Sequence, residues 1–209
     1  MNALAEIERR GFRSESTEED GFRAVVYRLL ARLLAAPPDE QVLQALGTIE
    51  ADGTPLGEAY GALGREAGQT DPSSIEREYH DLFIGVGRGE LVPFGSYYLT
   101  GFLNEKPLAL LRADMKRIGI ARADHAREPE DHIAALCEMM AGLIEGDYGE
   151  PAHLSAQHRF FESHIGAWAA LFFRDLQAAK RARFYAAVGL LGERFVDIEA
   201  TAFTFEAGS

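Results

Sequence analysis

The sequence predicts an all-α fold, a single irregular bundle of roughly eight helices. Three observations carry that prediction. Apolar residues recur at a 3.6-residue period in every long segment, and no segment alternates with the two-residue period of a strand. Proline and glycine fall between these segments, where helices end, rather than inside them. The chain has 209 residues of which 47% are apolar, enough for one core and too short for several domains.

In order along the chain, residues 1–17 read as a polar, partly ordered leader, and residues 18–209 as one helical domain. Arg9-Arg10-Gly11-Phe12 has the look of a twin-arginine export element, but Ser14-Glu15-Ser16-Thr17-Glu18-Glu19-Asp20 stands where an apolar segment would follow. A cytoplasmic protein is therefore expected. Residues 18–35 place Phe22, Val25, Val26, Leu29, Leu30, Leu33 and Leu34 on one stripe, ended by Pro37-Pro38. Shorter helices are predicted over 39–50 and 56–67, separated by Gly53-Thr54-Pro55. Asp71-Pro72 is a start signal, a capping side chain before a proline whose missing N–H costs nothing there. It opens a helix that ends at Phe83. Pro107 opens another through Ile118, closed by Gly119. Pro129 is read as the start of a helix carrying Ile133, Leu136, Cys137, Met140, Leu143 and Ile144 on one face. Residues 153–179 read as one long helix with Phe161, Ile165, Trp168, Phe172 and Leu176 inward. Residues 181–206 form the last, with Phe184, Val188, Leu191, Phe195 and Ile198.

Charge and cysteine content exclude several classes. The formal net charge is −12, from 33 acids against 21 bases, the wrong sign for a nucleic-acid partner. The one cysteine, Cys137, excludes an intramolecular disulfide and lies on an apolar helix face. No run approaches the roughly 18 apolar residues of a membrane span, so stable membrane insertion is not expected.

The least ordinary stretch is 78–98. Its first half, Glu78-Tyr79-His80-Asp81-Leu82-Phe83-Ile84-Gly85, closes a helix whose apolar face is Ile75, Tyr79, Leu82 and Phe83. Its second half holds Gly85, Gly87 and Gly89 and then Leu91-Val92-Pro93-Phe94-Gly95-Ser96-Tyr97-Tyr98. A loop this rich in both glycine and large apolar groups either folds onto the core or lines a groove for a ligand.

A second constellation is Glu128-Pro129-Glu130-Asp131-His132. Acids at a helix N-terminus complement its dipole, which is one reading. The other is a polar rim beside an apolar groove, where carboxylates accept guanidinium groups in paired hydrogen bonds worth about 1.5–3 kcal/mol each. Metal chemistry has weaker support. Only one Glu-x-x-His element occurs, Glu150 to His153, and the histidines show no zinc-like spacing. Gly85-Val86-Gly87-Arg88-Gly89 follows a helix, not a strand, and lacks the Lys and Ser/Thr of a phosphate loop. No Gly-x-Ser-x-Gly element marks a nucleophile.

Together, Glu78-Tyr79-x-x-Leu82-Phe83-x-Gly85, Pro93-Phe94-Gly95-Ser96-x-Tyr98 and Glu130-Asp131-His132 resemble the motifs of the TorD/DmsD/NarJ family of molybdoenzyme maturation chaperones. Tyr27-x-x-Leu30-Ala31-x-Leu33-Leu34 before Pro37-Pro38, and the aromatic helix with Phe160, His164 and Trp168, extend the resemblance over about residues 20–205. It implies a TorD-like helical fold with no catalytic activity. It also implies a cytoplasmic chaperone that binds a redox-enzyme precursor, often at its twin-arginine signal peptide, until the molybdenum cofactor is inserted. The precursor would be of the formate dehydrogenase, nitrate reductase or sulfoxide/N-oxide reductase type. Carried over, the peptide-binding residues are Tyr27, Tyr79, Leu82, Phe83, Pro93, Phe94, Gly95, Ser96, Tyr98, Glu130, Asp131 and His132. No cofactor is expected beyond the weak guanine-nucleotide binding of some members, and the protein would be a monomer or a helix-swapped dimer. The family often has Pro-Pro before an aromatic, frequently tryptophan; here Val92 precedes Pro93 and the aromatic is Phe94.

Elementary recognition chemistry points the same way. A twin-arginine signal is two adjacent cations before an apolar segment, so its receptor should set an acidic rim beside an apolar groove. On this reading Phe83, Phe94 and Tyr79 line the groove while Asp131 and Glu130 meet the arginines. The rival readings are a metal-dependent helical enzyme using Asp131, His132 and Glu128, and a helical adaptor subunit that docks a folded partner through the 85–98 loop.

Overall fold

A computed structural model of the protein describes residues 3–122 and 128–206, with side chains from residue 18 to 205 within those ranges. Ten α-helices run through them: α1 (Ala3–Ala35), α2 (Glu40–Leu46), α3 (Pro55–Gln69), α4 (Pro72–Tyr79), α5 (Gly95–Thr100), α6 (Lys106–Ile118), α7 (Ile133–Glu145), α8 (Leu154–Phe161), α9 (Ala169–Ala178) and α10 (Phe184–Glu206). Wider π-helical turns continue α4 over His80–Ile84 and α8 over Glu162–Gly166. The side chains of the expected leader lie outside the described residues, and α1 includes part of that stretch in its backbone.

Helix starts follow side-chain chemistry. Asp39, Thr54 and Asp71 each accept a hydrogen bond from a backbone N–H of the first turn of α2, α3 and α4, satisfying a donor that has no partner within the helix. The start predicted at Pro129 moves to Ile133. The cap of α7 is not one of the neighbouring acids but His132, whose Nδ1 accepts the Ala134 N–H at 3.1 Å. Residues 129–132 form a turn instead, closed by His132 N–H on the Pro129 carbonyl.

The predicted long helix over 153–179 is two helices. Trp168 leaves helical geometry (φ −145°, ψ −26°), and its indole N–H donates to the His164 carbonyl, taking an acceptor the helix would otherwise use. A further helix, α5, sits inside what reads as loop.

The core runs between α1 and α7 on one side and α3, α9 and α10 on the other, centred on Tyr27, Tyr185, Phe172, Phe173, Phe184 and Phe195. Two predicted core residues of α1, Phe22 and Val25, are exposed; Val26 faces inward as expected, and Ala24 and Tyr27 join it. The α10 stripe also departs at its end. Ile198 faces solvent, and the inward position belongs to Glu199, 1% exposed. Arg23 from α1 meets it with two hydrogen bonds of 2.7 and 2.9 Å, Tyr27 donates to it at 2.9 Å, and Gln157 and Asp20 take the rest of the guanidinium. Every member is satisfied, which is the condition for a buried ion pair to be tolerated.

Two predictions follow from these contacts. Glu199→Ala leaves Arg23 buried without its partner and should cost about 3–5 kcal/mol in urea unfolding. The second concerns pH. Burial lowers the folded pKa of His132 from 6.5 to about 4. The unfolded chain therefore binds a proton that the folded chain refuses between those values, and stability is present above about 6.5 and lost as pH falls toward 4. His132→Asn keeps a capping acceptor without the titration, so its thermal midpoint should fall less steeply across that window; an equal slope would count against a depressed pKa.

Candidate functional site

The two distinctive stretches of the sequence are stitched together by backbone. The Ile133 N–H donates to the Pro93 carbonyl and the Gly95 N–H to the Asp131 carbonyl, both at 2.9 Å, so Phe94 and His132 face each other as an antiparallel bridge. Their rings meet edge to face with centroids 5.0 Å apart. The Asp131 side chain completes the join. Its Oδ2 accepts the Ser96 N–H at 2.7 Å, capping α5 from 35 residues away, where the local cap position is Phe94 with no side-chain acceptor. Asp131 is only 3% exposed, and its Oδ1 and the Ser96 hydroxyl are buried without a hydrogen-bond partner among the described residues.

Beneath the junction lies an aromatic floor. A Cβ built on Gly95 would stand 3.1 Å from the indole nitrogen of Trp168, so the backbone approaches the ring as only glycine comfortably allows. Tyr98 tilts over Trp168, with centroids 5.3 Å apart, and donates to Asp175 at 2.9 Å. Burial, then that hydrogen bond, push the Tyr98 phenol far above its ordinary pKa.

The first half of the 78–98 stretch positions the second. Glu78 caps α10, accepting from the N–H groups of Arg183 and Tyr185 at 2.8 and 2.7 Å. Tyr79 and Phe83 pack edge to face and both contact the Tyr185 ring. The chain then reverses at Gly85, whose φ of +61° places a notional Cβ 2.1 Å from the Arg88 carbonyl oxygen. It folds back on the end of that helix, with the Leu91 N–H on the Leu82 carbonyl at 2.8 Å, and delivers Pro93 and Phe94 to the junction.

The predicted site residues therefore divide. Phe94, Gly95, Ser96, Asp131 and His132 are brought together, with Pro93 in their backbone pairing and Tyr98 on the floor below. Tyr27 and Leu82 are fully buried and offer no surface to a ligand; the first holds Glu199 and the second anchors the returning loop. Tyr79 and Phe83 are half-buried in the aromatic group around Tyr185. Glu130 departs furthest from expectation. It is not an open rim but a nearly buried carboxylate whose Oε2 accepts from Arg112 Nε and Nη2 at 3.0 and 2.8 Å, with Arg122 Nη1 3.6 Å from Oε1. Burial opposes its charge, but the Arg112 hydrogen bonds outweigh it and hold its pKa below the ordinary carboxylate value. Glu128, by contrast, is exposed. Arg112 and Arg122 carry no signal in sequence spacing, since neither belongs to a motif that contains Glu130.

Asp131 Oδ2 and His132 Nδ1 each accept a hydrogen bond from a backbone N–H. No group of three or more His, Cys, Asp or Glu side chains among the described residues is placed to hold a metal ion. Cys137 is buried, and its burial raises the thiol pKa, so it is not an activated nucleophile. No helix among the described residues is long and apolar enough to cross a membrane.

Comparison with known proteins covers this same region. A sequence model of the nitrate reductase delta subunit family matches residues 49–174, more than half of the chain and all of the junction. The chaperone protein TorD of Shewanella loihica is 28% identical over 214 residues, covering 90% of this chain and 96% of that protein. A relative from Haemophilus influenzae named as the Tat proofreading chaperone DmsD is 32% identical over 120 residues, 56% of each chain. The crystal structure of a protein described as a redox enzyme maturation protein from Archaeoglobus fulgidus superposes with a TM-score of 0.54 at 20% identity, over 84% of this chain and 93% of that one, which supports the fold. These relatives are named as chaperones and a maturation protein, not as enzymes. The all-helical fold and the family match across both motif-bearing stretches lead to one conclusion: the chain belongs to the nitrate reductase delta subunit family, the TorD/DmsD/NarJ group of molybdoenzyme maturation chaperones.

Proposed function

We propose that this protein acts in the cytoplasm on the precursor of a molybdenum-containing redox enzyme, binding its twin-arginine signal peptide and delaying export until the cofactor is in place. The observation that carries the reading is the junction itself, a backbone pairing of residues 93–95 with 131–133 that brings the two motif stretches together. Around it lie the two things such a peptide needs. Half-buried Phe83, Leu91 and Val92, with exposed Ile84 and Val86, line the loop that folds back toward Phe94 and supply apolar contact. Exposed Glu128 supplies negative charge beside it, while the neighbouring Glu130 carboxylate is held by Arg112.

The test is calorimetric titration of the full chain with a synthetic twin-arginine signal peptide. Phe94→Ala and His132→Asn should each weaken binding about tenfold, the loss typical of a central contact residue. Equal affinity in both variants, with the helical circular dichroism intact, would remove the junction from the reading.

A further inference from the structure

Glu130 already holds arginine. The carboxylate is 7% exposed, and what covers it is cationic: Arg112 of α6 places two N–H groups on Oε2, and Arg122 stands beside Oε1. One carboxylate thus faces two guanidinium groups, one toward each oxygen. That is the pattern that two adjacent arginines of a peptide would reproduce. The neighbouring residue in the chain, Asp131, is the one that holds the junction together.

Arg112 is well placed to give way. Its side chain is 49% exposed, against 8% for that of Glu130, so it returns to water at little cost. The exchange replaces one forked, charge-assisted pair by another of the same kind, and the carboxylate is never left buried and bare. Helix α6 does not depend on this contact alone. It buries Leu108, Leu111 and Met115, and Asp114 meets His164 Nε2 at 2.9 Å, so Arg112 can leave while the helix stays docked.

We propose that Arg112 is a built-in occupant of the guanidinium site on Glu130, and that a cationic precursor segment binds by displacing it. The inference rests on the function proposed above and names the residue that sets its threshold. Arginine competes on equal terms because its planar fork matches the carboxylate; a lysine ammonium lacks that fork and displaces Arg112 poorly. Selectivity for arginine over lysine is then a difference between two occupants of one acceptor, not the result of a dedicated pocket.

The test is titration of the wild-type chain, Arg112→Ala, Arg112→Gln and Glu130→Gln with the twin-arginine peptide and with its twin-lysine counterpart. If the internal occupant fills the site most of the time, removing it should tighten twin-arginine binding about tenfold and twin-lysine binding by the same factor. Glu130→Gln should weaken twin-arginine binding in the wild-type background. Peptide should also shift the Arg112 Nε–H resonance in the intact wild-type chain as that group leaves Glu130, a change that a merely structural pair would not show. Weaker or unchanged binding by both Arg112 variants, with an unmoved Arg112 resonance while wild type binds, overturns the displacement and leaves the signal-peptide reading standing. Absence of twin-arginine binding in the wild type and both Arg112 variants alike overturns both.

Discussion

The site depends on one short backbone pairing. The N–H groups of Ile133 and Gly95 and the carbonyls of Pro93 and Asp131 bind each other in a protein whose other backbone hydrogen bonds are almost all local to helices and turns. Nothing in helix packing alone would bring residue 94 beside residue 132. The pairing does so, and Asp131 then makes it hard to lose, because its carboxylate is also the cap of α5. Cutting the pairing would strip an acceptor from a helix start as well as parting two rings. The glycine-rich turn after α4 exists, in physical terms, to feed this pairing. Gly85 permits the reversal and the Leu82 carbonyl receives the returning loop.

The same long-range logic appears at several other acids. Glu78 caps a helix that begins over a hundred residues later, Glu199 answers Arg23 from the far end of the chain, and Glu130 answers Arg112. Each is an acid on one element satisfied by donors on another. In an all-helical fold, where helices satisfy their own backbones and pack through featureless apolar faces, such contacts fix which helix lies against which. The acidic excess of the sequence is therefore not only surface charge; several of its carboxylates are internal fasteners.

This division explains what could be read in advance. Periodicity locates the helices because a buried face repeats every 3.6 residues, and it succeeds for α7, where Ile133, Leu136, Cys137 and Met140 are all inside. It fails where a polar residue takes an inward position, as Glu199 does in place of Ile198, or where the inward face is made by small and amphipathic residues, as Ala24 and Tyr27 replace Phe22 and Val25. It misses the break at Trp168, because the indole N–H competes for a helix carbonyl and apolar spacing carries no trace of that. At the site, the motif residues around Phe94 and His132 were legible as members of a known pattern, and a groove-and-rim chemistry could be argued from their types. The state of Glu130 could not. Its partners lie on α6 and the segment after it, and only the tertiary fold brings Arg112 within 3 Å of it.

One feature of the junction has a practical side. The sequence contains a single tryptophan, and it is the ring pressed against Gly95, 2% exposed and hydrogen-bonded through its indole to a carbonyl. Its fluorescence thus originates at the seam between the two stretches and nowhere else. Any event that loosens the seam changes the polarity seen by that ring, so the molecule carries its own optical gauge of the state of that seam, with no dye attached.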